Sequence, residues 1–121
     1  MNPTTLALIA LGGALGSVAR AVAAALIPAG RLPWATMLVN VAGSFLIGWL
    51  IARFAGEGEA TMHARGFWIA GVCGGFTTFS TFSWQTLEQM QKGNWGAATA
   101  NVVLSVVLCL VATFLGWRLA Q

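Results

Sequence analysis

The sequence predicts an all-α membrane protein with four transmembrane helices, residues 1–121 forming a single domain. Of its 121 residues, 58% are hydrophobic and only 7% are charged, whereas soluble domains carry about 25% charged residues. The apolar residues form four continuous stretches, each close to the roughly 20 residues that a spanning helix needs. Runs of this kind favour helices over the short, alternating strands of a membrane barrel. The four stretches cover residues 4–27, 34–54, 66–90 and 95–117.

Polar or helix-breaking segments separate the four stretches. Pro28 ends the first stretch and Pro33 precedes the second, and proline is tolerated at helix ends but not in helix interiors. A polar loop is expected over residues 55–65, and a turn over residues 91–94. The first stretch lacks a positive flank and is too long for a signal peptide, so we expect it to be retained. Tryptophans near the ends of the stretches suit the membrane interface; they are Trp34, Trp68, Trp95 and Trp117.

Glycines within the stretches are expected to bring helices into close contact. Gly12 and Gly16 are spaced GxxxG, and Gly43 and Gly48 lie in the second stretch. In lipid, small residues at such spacings let two backbones approach closely.

The positive charges barely bias the orientation of the chain in the membrane. With four spans, Arg53, Arg65 and Arg118 lie on one side of the membrane, and Arg31 and Lys92 lie on the other. Since an excess of Lys and Arg normally marks the cytoplasmic side, this balance lets the chain insert in both senses. Oppositely inserted copies can pair about an axis in the membrane plane, so we predict an antiparallel, dual-topology homodimer.

The third stretch contains an unusually polar segment, residues 74–83. Two glycines open it, and five of the seven residues from Thr77 to Ser83 carry hydroxyl groups. This composition favours a helix that is broken in mid-membrane, with backbone groups free to line a wet cavity. Alternatively, the hydroxyls donate to carbonyls one turn back and only bend the helix.

Phe79 and Phe82 lie three residues apart in this segment, on one helix face. Aromatic rings have a positive edge, so two edges beside hydroxyl donors would partly replace the hydration shell of a small anion. Asn40 and Ser105 offer further donors. Ordinary core packing is the alternative role for this pair of rings.

Arg20 lies within the first stretch, with no acidic residue in the first or second stretch to pair with it. It is expected to line a water-filled vestibule that concentrates anions. The sequence contains no set of a nucleophile, a base and an orienting residue, no pair of buried carboxylates and no phosphate loop, so an enzyme is not predicted.

These motifs together resemble the Fluc/CrcB family of fluoride channels. The resemblance extends over essentially the whole chain and is carried by residues 16–20, 39–45 and 74–83. It implies a dual-topology homodimer in the bacterial inner membrane that exports fluoride passively and lowers the cytoplasmic fluoride concentration.

The resemblance also implies roles for individual residues. It implies a structural sodium ion at the dimer interface, held by the backbone carbonyls of Gly74 and Thr77. It assigns Arg20 to the vestibule and a larger set to the fluoride pore: Asn40, Phe79, Ser80, Thr81, Phe82 and Ser105. Glu88 matches a family glutamate, and the chain departs from some relatives at Asn101 and Cys109.

Two other functions are considered. A small proton-coupled multidrug exporter also has four short spans, but it requires a membrane-embedded carboxylate, and the first span offers Arg20 instead. A non-transporting assembly factor would leave the hydroxyl-rich segment without a role.

Overall fold

The computed structural model describes all 121 residues, and its regular structure is entirely helical. Three helices are long and apolar enough to cross a membrane: Pro3–Leu26, Trp34–Arg53 and Trp95–Leu119. They match the first, second and fourth predicted stretches, so those predictions are confirmed. The elements in chain order are α1 (Pro3–Leu26), α2 (Trp34–Arg53), α3 (Glu59–Ala64), a π-helical segment (Arg65–Cys73), α4 (Gly74–Phe76), α5 (Phe79–Gln91) and α6 (Trp95–Leu119).

The helical part of the third stretch begins earlier than the sequence predicts. Residues 55–65 were expected to form a loop, but α3 begins at Glu59. Gly58 precedes it with φ of 114°, a conformation that suits glycine. Glu59 then lies in the first turn, where a negative charge is favoured by the helix dipole. The loop prediction was therefore wrong for residues 59–65, because polar residues in an exposed first turn were interpreted as loop.

The backbone leaves the helical conformation at two residues between α4 and α5. Thr77 has φ of −90° and ψ of 157°, and Thr78 has φ of −151° and ψ of 117°. Both conformations are extended. The Thr78 side chain then starts α5 by accepting a hydrogen bond from the Thr81 amide, which is ordinary N-terminal capping.

Glycines join the helices into two closely packed pairs. α1 packs on the π-helical segment and α4, and α2 packs on α6. A Cβ added at Gly71 would lie 2.9 Å from the Gly12 Cα, and one added at Gly16 would overlap the Val72 carbonyl oxygen. A Cβ added at Gly48 would overlap the Thr113 carbonyl oxygen. The packing role predicted for Gly12, Gly16 and Gly48 is thereby confirmed.

Gly43, the fourth glycine of that prediction, also lies at a close contact. A Cβ there would overlap the Thr77 side-chain methyl group. Helix α2 therefore approaches the non-helical residues directly, which brings Asn40, one turn earlier, beside them.

Candidate functional site

Asn40 of α2 holds the non-helical residues through two hydrogen bonds. Its Nδ2 donates to the Thr78 carbonyl at 3.0 Å, and its Oδ1 accepts from the Thr78 amide at 2.7 Å. One side chain thus satisfies both backbone groups of a residue that has left the helix. Without water in the bilayer core, such groups need protein partners, so Asn40 stabilises the interruption. One Nδ2 hydrogen remains free for another acceptor.

Arg20 of α1 contacts the same segment. Its Nε donates to the Gly75 carbonyl at 2.9 Å, an acceptor that a continuous helix would use internally. No carboxylate lies within salt-bridge distance of Arg20. The guanidinium is therefore anchored at one nitrogen and keeps its charge available to an anion.

Two cavities border the non-helical residues. The phenylalanine cavity has a volume of about 370 Å³; its lining includes Asn40, Thr77, Thr78, Phe79, Phe82 and Ser105. The arginine cavity has a volume of about 630 Å³; its lining includes Arg20, Thr78, Thr81, Gln85, Glu88 and Lys92. Thr78 lines both cavities, so both border the interruption in the helix, and both are lined by predicted site residues.

Phe79 and Phe82 form a ring pair at the phenylalanine cavity. Their centroids lie 5.4 Å apart with an interplanar angle of 44°. Phe79 is 77% exposed on the chain, so its ring is not held in the core of the chain. The structure therefore gives no support to core packing as the role of Phe79.

The hydroxyl groups of the polar segment divide into two classes. Thr77 donates to the Cys73 carbonyl at 2.8 Å, and Ser83 donates to the Phe79 carbonyl at 2.9 Å. Both are bonds to the carbonyl four residues back, as the alternative interpretation expects. The Thr78 and Ser80 hydroxyls lie 3.5 Å apart, and the Thr81 hydroxyl makes no hydrogen bond in the chain. The segment therefore contains both back-bonded and available hydroxyls.

Ser80 and Thr81 differ in position. Thr81 lines the arginine cavity. Ser80 is exposed and belongs to the lining of neither cavity. The structure thus brings Asn40, Phe79 and Phe82 to one cavity but not all the predicted pore residues.

A buried hydrogen-bond chain links α5 to α6 behind the phenylalanine cavity. Thr86 Oγ1 donates to the Phe82 carbonyl at 2.8 Å, and Asn101 Nδ2 donates to Thr86 Oγ1 at 2.9 Å. Ser105 Oγ donates to Asn101 Oδ1 at 3.2 Å. Asn101 therefore lies at the centre of these linked hydrogen bonds, and Ser105 lies at their cavity end.

At the interruption, the carbonyls of Gly74 and Thr77 lose the amide donors that a continuous helix would give them. In a continuous helix they would accept from Thr78 and Thr81. The Thr78 amide donates to Asn40 instead, and the Thr81 amide donates to Thr78 Oγ1. Carbonyl oxygens of this kind are suitable ligands for a hard cation such as sodium.

Two residues of the site were missed by sequence reasoning. Thr78 both caps α5 and contacts Asn40, and its position three residues before Thr81 is a recognisable capping signal. Gln85 lines the arginine cavity, and its buried Oε1 has no hydrogen-bond partner. Its spacing of four residues from Thr81 places both side chains on the same face of α5. Glu88, to which the sequence assigned no role, forms an ion pair with Lys92, and its Oε1 lies 3.6 Å from Lys92 Nζ.

The chain matches the model of a known protein family. The family model described as "CrcB-like protein, Camphor Resistance (CrcB)" matches residues 7–117. The chain belongs to the CrcB family. The resemblance inferred from residues 16–20, 39–45 and 74–83 is thereby confirmed.

Curated CrcB relatives carry a consistent name. A protein of Opitutus terrae named "Fluoride-specific ion channel FluC" is 52% identical over 113 residues, covering 89% of this chain and 86% of the relative. Proteins with the same name are 48% identical in Paramagnetospirillum magneticum and 47% identical in Thermus thermophilus, each covering 93% of this chain and 91% of the relative. Together with its three apolar helices, membership of this CrcB family makes the chain a multi-pass membrane protein.

Proposed function

We propose that this protein is a fluoride channel that lets fluoride leave the cell passively and so lowers the cytoplasmic fluoride concentration. The observation that carries the proposal is the phenylalanine cavity, to which Asn40, Phe79, Phe82 and Ser105 all contribute. Its curated relatives are named as fluoride-specific channels. The activity is transport and not catalysis, and the bacterial inner membrane is the proposed location.

The arginine cavity would supply anions to this path. The unpaired charge of Arg20 raises the local anion concentration by electrostatic focusing. Thr81 and Thr78 then offer hydroxyl groups along one face of α5, and Thr78 also borders the phenylalanine cavity. Several weak contacts of this kind suit conduction better than one tight site.

Selectivity would arise at the phenylalanine cavity. The ring edges of Phe79 and Phe82 carry partial positive charge, and Asn40 keeps one free Nδ2 hydrogen. A small anion exchanges its water for these groups, whereas a larger anion does not fit among them. Ser80 contributes to the proposed pore from the exposed side of α5.

An antiparallel homodimer would complete the cavity. Phe79 is 77% exposed beside a cavity that the polar side chains of Asn40 and Ser105 border, and polar groups facing lipid are costly. A second copy inserted in the opposite sense would cover them. The balanced loop charges permit both orientations.

A structural sodium ion is proposed for the dimer interface. The carbonyls of Gly74 and Thr77, whose helical donors bond elsewhere, fit such an ion, and two copies would provide four such oxygens. The ion would neutralise the carbonyl dipoles that face one another across the interface. Its role is to stabilise the assembly, since the proposed fluoride path runs beside Phe79 and Phe82.

Fluoride efflux from liposomes containing the purified protein tests the proposal. Efflux into fluoride-free buffer is expected without any proton gradient, and chloride efflux should stay at the level of protein-free liposomes. Equal chloride and fluoride rates would contradict the proposal. A proton-coupled exporter is not proposed, because α1 and α2 contain no Asp or Glu.

A further inference from the structure

We infer that Asn101 is a positioning residue that directs the hydroxyl proton of Ser105 away from the phenylalanine cavity. The inference rests on the proposed function and deepens it, because it concerns what this cavity presents to fluoride. Asn101 does not line the cavity and is 1% exposed. It would therefore act on the ion only through Ser105.

The donor and acceptor in each of these hydrogen bonds follow from the Phe82 carbonyl, which cannot donate. The Phe82 carbonyl only accepts, so Thr86 gives it the single hydroxyl proton at 2.8 Å. Thr86 Oγ1 then has only lone pairs left. The Asn101 atom 2.9 Å away must therefore be the donor Nδ2.

The same logic fixes the proton of Ser105. With Nδ2 bonded to Thr86, Asn101 turns Oδ1 towards Ser105, whose Oγ lies 3.2 Å away. Oδ1 has no proton, so the hydroxyl of Ser105 must supply it. Thr86 and Ser105 are each 6% exposed, which leaves little access for water to disrupt the order.

The consequence for an anion is unfavourable. Ser105 lines the phenylalanine cavity but offers it oxygen lone pairs, which repel fluoride. Fluoride gains a hydrogen bond from Ser105 only when the hydroxyl rotates and its bond to Asn101 breaks. Asn101 thus weakens the contact at Ser105 and keeps the ion from being held tightly, which favours release.

Thr86→Val tests this arrangement with almost no change in shape. Valine cannot accept from Asn101, so the amide is free to turn Nδ2 towards Ser105 and release the hydroxyl proton to the cavity. A hydrogen bond to a charged group is worth about 1 kcal/mol more than a neutral one, so fluoride efflux should depend on Ser105 about fivefold more in this background. The measurement is the ratio of efflux rates with and without Ser105→Ala, in wild type and in Thr86→Val.

Thr99→Val is the matched control, because Thr99 lies exposed on α6 and its side chain makes no hydrogen bond. It should leave the Ser105→Ala ratio as in wild type. Equal ratios in the wild-type and Thr86→Val backgrounds would overturn the inference, as would a smaller ratio in Thr86→Val.

A stability measurement separates this inference from the proposed function. Since Thr86 and Ser105 are linked through Asn101, the shifts in unfolding midpoint caused by Thr86→Val and Ser105→Ala should not add in the double variant. Additive shifts would show that Thr86 and Ser105 are not linked through the hydrogen bonds of Asn101. If wild type conducts no fluoride, the proposed function fails, while the midpoints still decide whether Asn101 orders the hydroxyl.

Discussion

Replacement of Asn40 by leucine should destabilise the protein more than any other single change at the phenylalanine cavity. The variant removes both hydrogen bonds to Thr78, of 3.0 and 2.7 Å. A buried backbone group left unpaired costs about 1–3 kcal/mol, and two such groups cost about 2–6 kcal/mol. Because Thr78 is only half-buried in the single chain, we expect a loss of about 2–4 kcal/mol in the free energy of unfolding.

Titration with SDS in mixed micelles, followed by tryptophan fluorescence, measures this loss, since the chain contains six tryptophans. Ser44→Ala is the matched control, because Ser44 lies one turn later on α2, lines the same cavity and makes no side-chain hydrogen bond. Its effect should stay within about 0.5 kcal/mol. A loss for Asn40→Leu that is no larger than the Ser44→Ala effect would refute the reasoning.

Asn40→Asp divides the loss between the two bonds. A carboxylate keeps an acceptor for the Thr78 amide but places negative charge against the Thr78 carbonyl. Its destabilisation should therefore come from the carbonyl side alone. Fluoride efflux from liposomes should fall in both Asn40 variants, because the cavity loses its free Nδ2 hydrogen.

Three further predictions concern the aromatic rings, the vestibule arginine and one helix contact. Phe79→Ile and Phe82→Ile should each lower fluoride efflux by about tenfold, the equivalent of about 1.4 kcal/mol, while the assembled state measured by size-exclusion chromatography stays unchanged; unaltered efflux would exclude the rings from the path. Arg20→Gln should lower efflux and flatten its dependence on ionic strength, and an unchanged salt dependence would contradict the vestibule role. Gly116→Ala should destabilise by about 1–3 kcal/mol, because its Cβ would overlap the Phe45 carbonyl oxygen, whereas Gly96→Ala, with nothing within 4 Å, should have no destabilising effect in the same SDS titration.

The helices could be predicted from the sequence because their cause is local. Continuous apolar stretches of sufficient length have only one stable conformation in lipid, and proline or polar residues mark their ends. This reasoning placed α1, α2 and α6 to within about two residues of the observed ends. It failed at α3, where a helix carries polar residues and continues into the apolar stretch.

The conformation at Thr77 and Thr78 has a non-local cause. Glycine and hydroxyl residues weaken the helix there, but they do not specify where it stops. The stop is fixed by Asn40, which lies 38 residues away and bonds both backbone groups of Thr78. A local pattern contains no information about such a partner.

The same distinction explains the outcome for the site residues. Phe79 and Phe82 share a helix face, so spacing alone placed their rings together. Whether a hydroxyl is available depends on its acceptor, and for Ser105 that acceptor is Asn101. Residue type indicated a donor, but only the structure shows where the proton is already used.

The supply of free donors bears directly on selectivity. The Thr77 and Ser83 hydroxyls donate to backbone carbonyls, and the Ser105 hydroxyl donates to Asn101. The phenylalanine cavity is then left with few positive groups: one Nδ2 hydrogen of Asn40, the hydroxyls of Ser44 and Thr78, and the ring edges. These few donors cannot replace a full hydration shell. Entry therefore lowers the free energy of an ion only if the ion is small enough to contact most of the donors at once. Fluoride is the smallest halide, and a path short of donors would therefore favour it by size without binding it tightly.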